Sequence, residues 1–272
     1  NFETMRMEMT NFWAVVTSEW AQAKFAHTIA GGYMTGAMFV MALSAYYMLR
    51  RQDVSFAKSS FRLAAVFGTV AALLTIHMGD ESGYLVTRDQ PTKIATMEAI
   101  WDTHEAPAPM TLFALPDEEA RTNHAQIDFP WVMGLIGTRS LSTEIPGINQ
   151  LEAQARERIE NGVKAVTTLE ALRKDPKNAE LREAFTAVKD DLGYGLLLKR
   201  YTEDVSAATP EMIAQAAADT IPGVAPMFWS FRLMVGCGLA MALVFVLGAV
   251  YSVKNVITEK RTLLKLTLLA LP

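Results

Sequence analysis

The chain has 272 residues, of which 51% are hydrophobic, and a formal net charge of −4. This charge excludes a strongly basic protein of the kind that binds nucleic acid through its phosphates. The single cysteine, Cys237, excludes a disulfide framework within the chain.

Long apolar runs predict an all-α membrane protein. Residues 1–20 mix aromatic and charged side chains, which is typical of an external interfacial segment. Transmembrane helices are predicted at 21–49, 61–78 and 225–253, since about 20 apolar residues cross the hydrocarbon core. The apolar run at 263–272 predicts the start of a truncated transmembrane helix, and we expect the chain to be a fragment of a longer membrane protein.

The distribution of charge predicts how these helices are oriented. Residues 79–224 contain 24 acidic and 14 basic residues, whereas basic residues outnumber acidic ones in the rest of the chain. Short loops rich in lysine and arginine stay in the cytoplasm, so 50–60 and 254–262 are predicted to be cytoplasmic loops. The acidic segment 79–224 is therefore predicted to be an external domain on the periplasmic side.

Helical patterns continue within this acidic segment. A turn at Gly83 followed by a helix over 89–103 is predicted, because two prolines follow that helix. Apolar residues recur at helical spacing in 149–174 and 178–192, which predicts a helical hairpin. Thr209, followed by a proline, predicts the cap of a short helix that extends to about residue 220.

His27 lies inside the first apolar run, where an ionisable side chain indicates a metal, a proton path or a buried hydrogen bond. If both helices enter the membrane from outside, His27 lies ~9 Å and Met234 ~14 Å along its own helix. An imidazole and a thioether at matching depth can bind one haem iron axially. The chain has 15 methionines, however, so a methionine at that depth is also expected from core packing alone.

Arg232 precedes Met234 by two residues. A guanidinium in a membrane needs an anionic partner, such as a haem propionate, or must extend to the interface, and the sequence leaves both readings open. His77, at the end of the second apolar run, is predicted to be interfacial, and His104 and His124 are predicted to be solvated surface residues.

Charged and polar residues also follow the second apolar run. Asp80 and Tyr84 lie in the run Gly-Asp-Glu-Ser-Gly-Tyr, and Lys93 and Glu98 lie in the next predicted helix. Five residues correspond to about 140° around a helix, so Lys93 and Glu98 do not form a simple surface ion pair. By pattern alone, a solvated surface is the favoured reading of this pair.

Several separated runs resemble subunit I of cytochrome bd ubiquinol oxidase, and the resemblance covers essentially the whole chain. The matching runs are Asn1 to Met9, Lys24 to Thr28, Gly79 to Tyr84, Lys93 to Trp101, Asp191 to Tyr201 and Phe231 to Val235. The resemblance implies that His27 and Met234 are the axial ligands of a low-spin haem b. It also implies that Arg232 lies near this haem.

The same resemblance implies that 79–224 is the Q-loop of this family in its long form, which takes part in quinol oxidation. Lys93 and Glu98 match the Q-loop residues implicated in that reaction. Asp80 and Tyr84 are assigned a supporting role.

The function implied by the resemblance is that of a quinol:oxygen oxidoreductase in the bacterial inner membrane. The expected substrate is ubiquinol or menaquinol, and the expected partners are subunit II and a small accessory subunit. High-spin haem b and haem d are expected in the full complex, and the oxygen-reducing site is expected to be absent from this fragment. The alternative is a membrane sensor or binding protein with an external helical ligand domain, while a transporter is disfavoured by so large an external segment.

Overall fold

The computed structural model describes residues 8–271, so the parts of the predictions that concern residues 1–7 and Pro272 lie outside the described residues. The chain divides into two compact units. We call residues 13–85 and 229–271 the helical unit, and residues 8–12 and 86–228 the insert unit.

Helices account for 72% of the structure, which confirms the predicted all-α class. The α-helices are α1 Phe12–Val16, α2 Glu19–Arg50, α3 Val54–Asp89, α4 Pro91–Glu98, α5 Ile148–Lys174, α6 Ala179–Val188, α7 Leu192–Leu197, α8 Pro210–Ala218, α9 Val224–Val253 and α10 Arg261–Leu269. A π-helix spans Gly134–Thr138, and short 3-10 helices span Lys189–Asp191, Leu198–Arg200, Val205–Ala207 and Ile257–Glu259. Two strands, β1 Met110–Asp117 and β2 Thr122–Phe129, form one antiparallel hairpin that the sequence pattern did not reveal.

Three helices, α2, α3 and α9, are long and apolar enough to cross a membrane. They contain the three predicted spans, while the bounds of the membrane segments and the sides of the loops stay predictions. The predicted turn at Gly83 is wrong, because α3 continues as one helix of 36 residues to Asp89. A glycine inside a helix costs only about 1 kcal/mol relative to alanine, and the next proline is Pro91, beyond the end of α3.

The core of the helical unit is formed where α2, α3, α9 and α10 pack together. Met38 and Met41 of α2, Phe61 of α3 and Phe245 of α9 are fully buried in this cluster. Glycine permits the close approach of α9, since a Cβ placed on Gly248 would lie 2.8 Å from Met41 Cε.

The insert unit is built around α5. The predicted hairpin of α5 and α6 and the Thr209 cap of α8 are confirmed, and the Thr209 hydroxyl accepts a hydrogen bond from the backbone N–H of Met212. Backbones of α5 and α7 touch at Gly162 and Gly195, where neither helix has room for a side chain. Ile159 and Leu198 are fully buried in the cluster beside this contact.

The helix predicted over 89–103 is shorter in the structure, where α4 ends at Glu98. Ala99 adopts the left-handed conformation with φ of 51°, and the N–H of Ile100 bonds to the carbonyl oxygen of Ala95. This pattern is a Schellman motif, which terminates a helix. An alanine in this conformation costs about 1–2 kcal/mol, which explains why the sequence, with no glycine or asparagine at this position, gave no stop signal.

Candidate functional site

His27 lies on α2, half-buried against α3. Its Nδ1 is 3.1 Å from the backbone carbonyl oxygen of Thr75, and a Cβ placed on Gly79 would lie 3.2 Å from its Cε1. A carbonyl oxygen only accepts hydrogen bonds, so Nδ1 carries the proton of the neutral imidazole. The lone pair is therefore on Nε2, and the Nδ1–H bond fixes the ring orientation, as in histidines that bind metals.

Contacts within the helical unit define the direction of α9. Gly68 of α3 lies against the ring of Phe245, and Ala65 of α3 lies near Gly248. Because the residue number falls along α3 as it rises along α9, these two helices run antiparallel. α2 also runs antiparallel to α3, since they are consecutive helices with Tyr33 packed edge-on against Phe67. Hence α2 and α9 run in the same direction.

This arrangement brings His27 and Met234 to the same level along the helices. Gly79 lies eleven residues beyond Gly68 on α3, and Met234 lies eleven residues before Phe245 on α9. Eleven residues correspond to a rise of about 16 Å in each antiparallel helix. Met234 is therefore level with Gly79, the glycine beside the His27 ring.

The two residues also lie on the packing faces of their helices. His27 precedes Met38 by eleven residues, and Met234 precedes Phe245 by eleven residues, so each lies only about 20° around its helix from a fully buried core residue. Met234 is nevertheless 56% exposed, because the core cluster lies further along α9. No hydrogen bond joins His27 and Met234 within the described residues.

Arg232 has a different orientation from Met234. Two residues correspond to about 200° around a helix, so the half-buried Arg232 lies on the opposite side of α9.

The available donors fit haem better than a bare metal ion. A bare ion such as zinc needs at least three protein ligands, and no group of three His, Cys, Asp or Glu side chains at metal-binding distance occurs in the part of the chain that the structure describes. Haem iron takes four ligands from its own macrocycle and requires only axial donors from the protein. The Nε2 atom of His27 and the Met234 thioether are donors of the kinds that haem iron accepts.

Lys93 and Glu98 lie on different sides of α4. Lys93 is exposed, whereas Glu98 is only 3% exposed and lies among the buried residues Ile94, Ala95 and Ile100. The solvated surface expected from the pattern alone is thus wrong for Glu98. Glu98 is the last residue of α4, and the chain turns directly after it at Ala99, which has the left-handed conformation.

The β-hairpin contacts the segment that follows Glu98. The Asn123 Nδ2 donates to the carbonyl oxygen of Ala99 at 2.9 Å, and the Trp101 Nε1 donates to Asn123 Oδ1 at 2.9 Å. At the tip of the hairpin, Glu118 Oε1 accepts a hydrogen bond of 3.0 Å from the backbone N–H of Ala225, in the first turn of α9. Sequence reasoning missed both polar residues, because their partners are distant in the chain.

A cleft of about 240 Å³ lies beside this hairpin within the insert unit. Its apolar lining includes Trp101, Ile148 and Ile221. Its polar lining includes Arg121 and Glu152, which form an ion pair of 2.7 Å.

Asp80 and Tyr84 lie on one face of α3, four residues apart, with Asp80 exposed and Tyr84 half-buried. Both belong to the helical unit, whereas Lys93 and Glu98 belong to the insert unit.

The remaining histidines fall into two groups. His124 is exposed, as predicted, and pairs with Asp117 at 3.3 Å, while His77 is also exposed and its interfacial position stays a prediction. The surface prediction is wrong for His104, which is half-buried, pairs through its backbone with Ile145, and has a buried Nδ1 with no hydrogen-bond partner. Burial lowers the pKa of His104, and the charge of Asp128 opposes that shift.

Comparisons with known proteins identify the family of the chain. The family model described as cytochrome bd terminal oxidase subunit I matches residues 1–272. The chain is 39% identical over its whole length to the cytochrome bd-II ubiquinol oxidase subunit 1 of Escherichia coli strain K12, covering 53% of that protein. It is 28% identical over 241 residues to the cytochrome bd ubiquinol oxidase subunit 1 of Bacillus subtilis strain 168, covering 88% of this chain and 39% of that protein.

The chain therefore spans about half the length, or less, of these curated relatives. A solved structure of bd oxidase from Geobacillus thermodenitrificans matches with a TM-score of 0.49 and 16% identity, covering 96% of this chain and 63% of that one.

Proposed function

The chain belongs to the cytochrome bd terminal oxidase subunit I family, and from that premise we propose that it is part of a membrane quinol oxidase. In this proposal, His27 and Met234 hold a low-spin haem b, and residues 79–224 are the quinol-oxidising Q-loop. The proposal is supported by the positions of His27 and Met234, which helix geometry puts at one level on two helices that run in the same direction.

A bound haem b supplies a one-electron acceptor for quinol oxidation. The chain itself supplies ligands and proton transfer. The Thr75 carbonyl keeps the proton on His27 Nδ1, so that Nε2 stays available to the iron. Arg232 is proposed to pair with a propionate at the edge of the haem.

Oxidation of a quinol releases two electrons and two protons, so the site needs a base. Glu98 is proposed to accept a proton from the quinol hydroxyl, and its burial suits contact with an apolar ring. Lys93, whose amino group is exposed, is proposed to bind a quinone oxygen. Asp80 and Tyr84 are proposed to support proton release to the outside.

The proposal extends to the whole complex. The full complex is proposed to hold a high-spin haem b and haem d as well, which would supply the chemistry that reduces oxygen to water. The substrate is proposed to be ubiquinol or menaquinol, and the partners subunit II and a small accessory subunit. The complex is proposed to lie in the bacterial inner membrane, with residues 79–224 on the periplasmic side.

A reduced-minus-oxidised difference spectrum of the intact complex tests the haem site. We expect the low-spin haem b signal to be lost in His27→Ala and in Met234→Leu, because each variant removes one axial ligand. Met241→Leu, on the same face of α9, is the matched control and retains the signal. An unaltered low-spin signal in both ligand variants would remove these residues from the haem site.

Quinol turnover tests the proposed base. Glu98→Gln is expected to retain the haem spectrum and to lower the rate of quinol oxidation by about 100-fold, the lower range for loss of a general base. Wild-type turnover in Glu98→Gln would exclude Glu98 as the base.

A further inference from the structure

The three carbonyl groups that follow Glu98 each accept a hydrogen bond from another element. The carbonyl oxygen of Ile100 accepts from the backbone N–H of Ile148 at 2.8 Å, and that of Trp101 from the N–H of Asn149 at 3.0 Å. The carbonyl oxygen of Ala99 accepts instead from a side chain, the Nδ2 of Asn123, at 2.9 Å. One side-chain amide on β2 therefore completes the hydrogen bonding of the turn that ends α4.

Asn123 is itself held in a fixed orientation. Its Oδ1 accepts from the indole N–H of Trp101 at 2.9 Å, and its Nδ2 also donates to Gln126 Oε1 at 3.0 Å. Since the indole N–H can only donate, the Oδ1 must face Trp101 and the Nδ2 must face Ala99. The carboxamide thus bridges two positions of the segment 99–101.

Glu98 is the last residue of α4, and the left-handed turn at Ala99 follows it directly. Ala99 has φ of 51° and is 2% exposed, and a non-glycine residue keeps this backbone conformation only where surrounding contacts favour it. The bond from Asn123 is made to the peptide group directly after that residue. Loss of this bond would allow the turn to relax, and the buried Glu98 carboxylate would move with it.

We propose that Asn123 is a positioning residue for quinol oxidation, which holds the Ala99 turn so that Glu98 stays directed into the insert unit. This inference rests on the proposed role of Glu98 as the base. Asn123 itself does not need to contact the quinol, so its effect must act through Glu98.

Steady-state quinol oxidation by the intact complex tests this role in four single variants. Asn123→Ala removes both bridging bonds, Asn123→Asp keeps the acceptor for Trp101 but removes the donor to Ala99, and Trp101→Phe removes only the indole donor. We expect kcat/KM to fall about tenfold in both Asn123 variants and by less in Trp101→Phe, with the low-spin haem spectrum unchanged. The neighbouring exposed position provides the control, His124→Ala, in which kcat/KM stays at the wild-type value.

A double-mutant cycle with Glu98→Gln separates positioning from general destabilisation. If Asn123 acts through Glu98, adding Asn123→Ala to Glu98→Gln causes no further loss of kcat/KM. Losses that multiply would overturn the inference, as would wild-type kcat/KM in both Asn123 variants. If Asn123→Ala does not assemble with haem, the same cycle is measured with Asn123→Ser.

This experiment distinguishes failure of the proposed role of Glu98 as the base from failure of the proposed role of Asn123 as a positioning residue. Wild-type turnover in Glu98→Gln contradicts the proposed function and the inference together. Reduced turnover in Glu98→Gln beside wild-type turnover in the Asn123 variants contradicts the inference alone.

Discussion

The helical unit and the insert unit position their candidate functional residues in different ways. In the helical unit, the levels and faces of His27 and Met234 follow from helix geometry and from a few glycine contacts between α3 and α9. In the insert unit, Glu98 is followed by a left-handed turn at Ala99, whose carbonyl oxygen accepts a hydrogen bond from Asn123 of the β-hairpin. The positions of the candidate ligands thus follow from the regular geometry of two helices. The position of the candidate base depends instead on an irregular turn and on contacts between segments that are distant in the chain.

The largest effect is expected from a variant that destabilises only the insert unit. A Cβ on Gly162 would overlap the backbone at Gly195, so Gly162→Val is expected to destabilise the insert unit by about 3 kcal/mol or more. Quinol oxidation should be lost while the low-spin haem signal persists, as measured by turnover and difference spectra of the same preparation. Gly193→Val is the control, since a Cβ there meets no atom within 4 Å. Loss of the haem signal in Gly162→Val would contradict the expectation that the haem site does not depend on the fold of the insert unit.

The converse change disrupts the helical unit. A Cβ on Gly68 would overlap the ring of Phe245, so Gly68→Val forces α3 and α9 apart at a cost of about 1–3 kcal/mol. We expect the low-spin haem signal to fall, because the register between α9 and α3 sets the level of Met234. Gly83→Val, on the same helix with open space around it, should retain the signal. Equal haem content in both variants would show that this contact does not set the ligand geometry.

A smaller change tests whether the residues around the His27 ring affect the haem. In Gly79→Ala the new Cβ lies 3.2 Å from His27 Cε1, closer than ordinary contact, so the ring must shift by a few tenths of an ångström. The low-spin haem should be retained with a shifted absorption band or midpoint potential. Gly83→Ala serves as the control for an added methyl group on α3. A band and potential unchanged from wild type in Gly79→Ala would argue against His27 as a ligand.

The smallest expected effect concerns pH and the insert unit. Burial lowers the pKa of His104 below its usual value of 6.5, so at lower pH the unfolded state binds more protons than the folded state. The stability contributed by the neutral imidazole is therefore lost as the pH falls from about 6.5 towards the lowered pKa. Hydrogen exchange at the His104 and Ile145 amides, corrected for intrinsic rates, should show protection falling over this range. His104→Gln should remove the pH dependence of this protection, whereas His124→Gln should retain it. A wild-type pH profile in His104→Gln would exclude His104 as the cause of the pH dependence.

Much of the helical unit was predictable from sequence because its determinants are local. Apolar runs predicted the three long helices, and the pairing of His27 and Met234 was proposed from depth and from the family resemblance. What the sequence could not provide was the contact between Gly68 and Phe245, because it joins segments separated by the whole insert.

In the insert unit, only part of the structure was predictable from sequence. Its hairpin of α5 and α6 has a clear apolar stripe and was predicted, whereas the β-hairpin was not, since β2 is mostly polar and has low strand propensity. The burial of Glu98 was missed because the turn contains alanine rather than glycine and is completed by Asn123, which is 24 residues from Ala99. His104 was missed for the same reason, since its partner Ile145 is distant in the chain.

A redox titration of Met234→His in the intact complex tests the central claim most directly. Methionine and histidine together give a haem a higher potential than two histidines, so the variant should keep a low-spin haem b with a lowered midpoint potential. Met241→His, seven residues along the same face of α9, should leave the midpoint potential at the wild-type value. A spectrum and potential unchanged from wild type in Met234→His would contradict the assignment of Met234 as the second axial ligand beside His27.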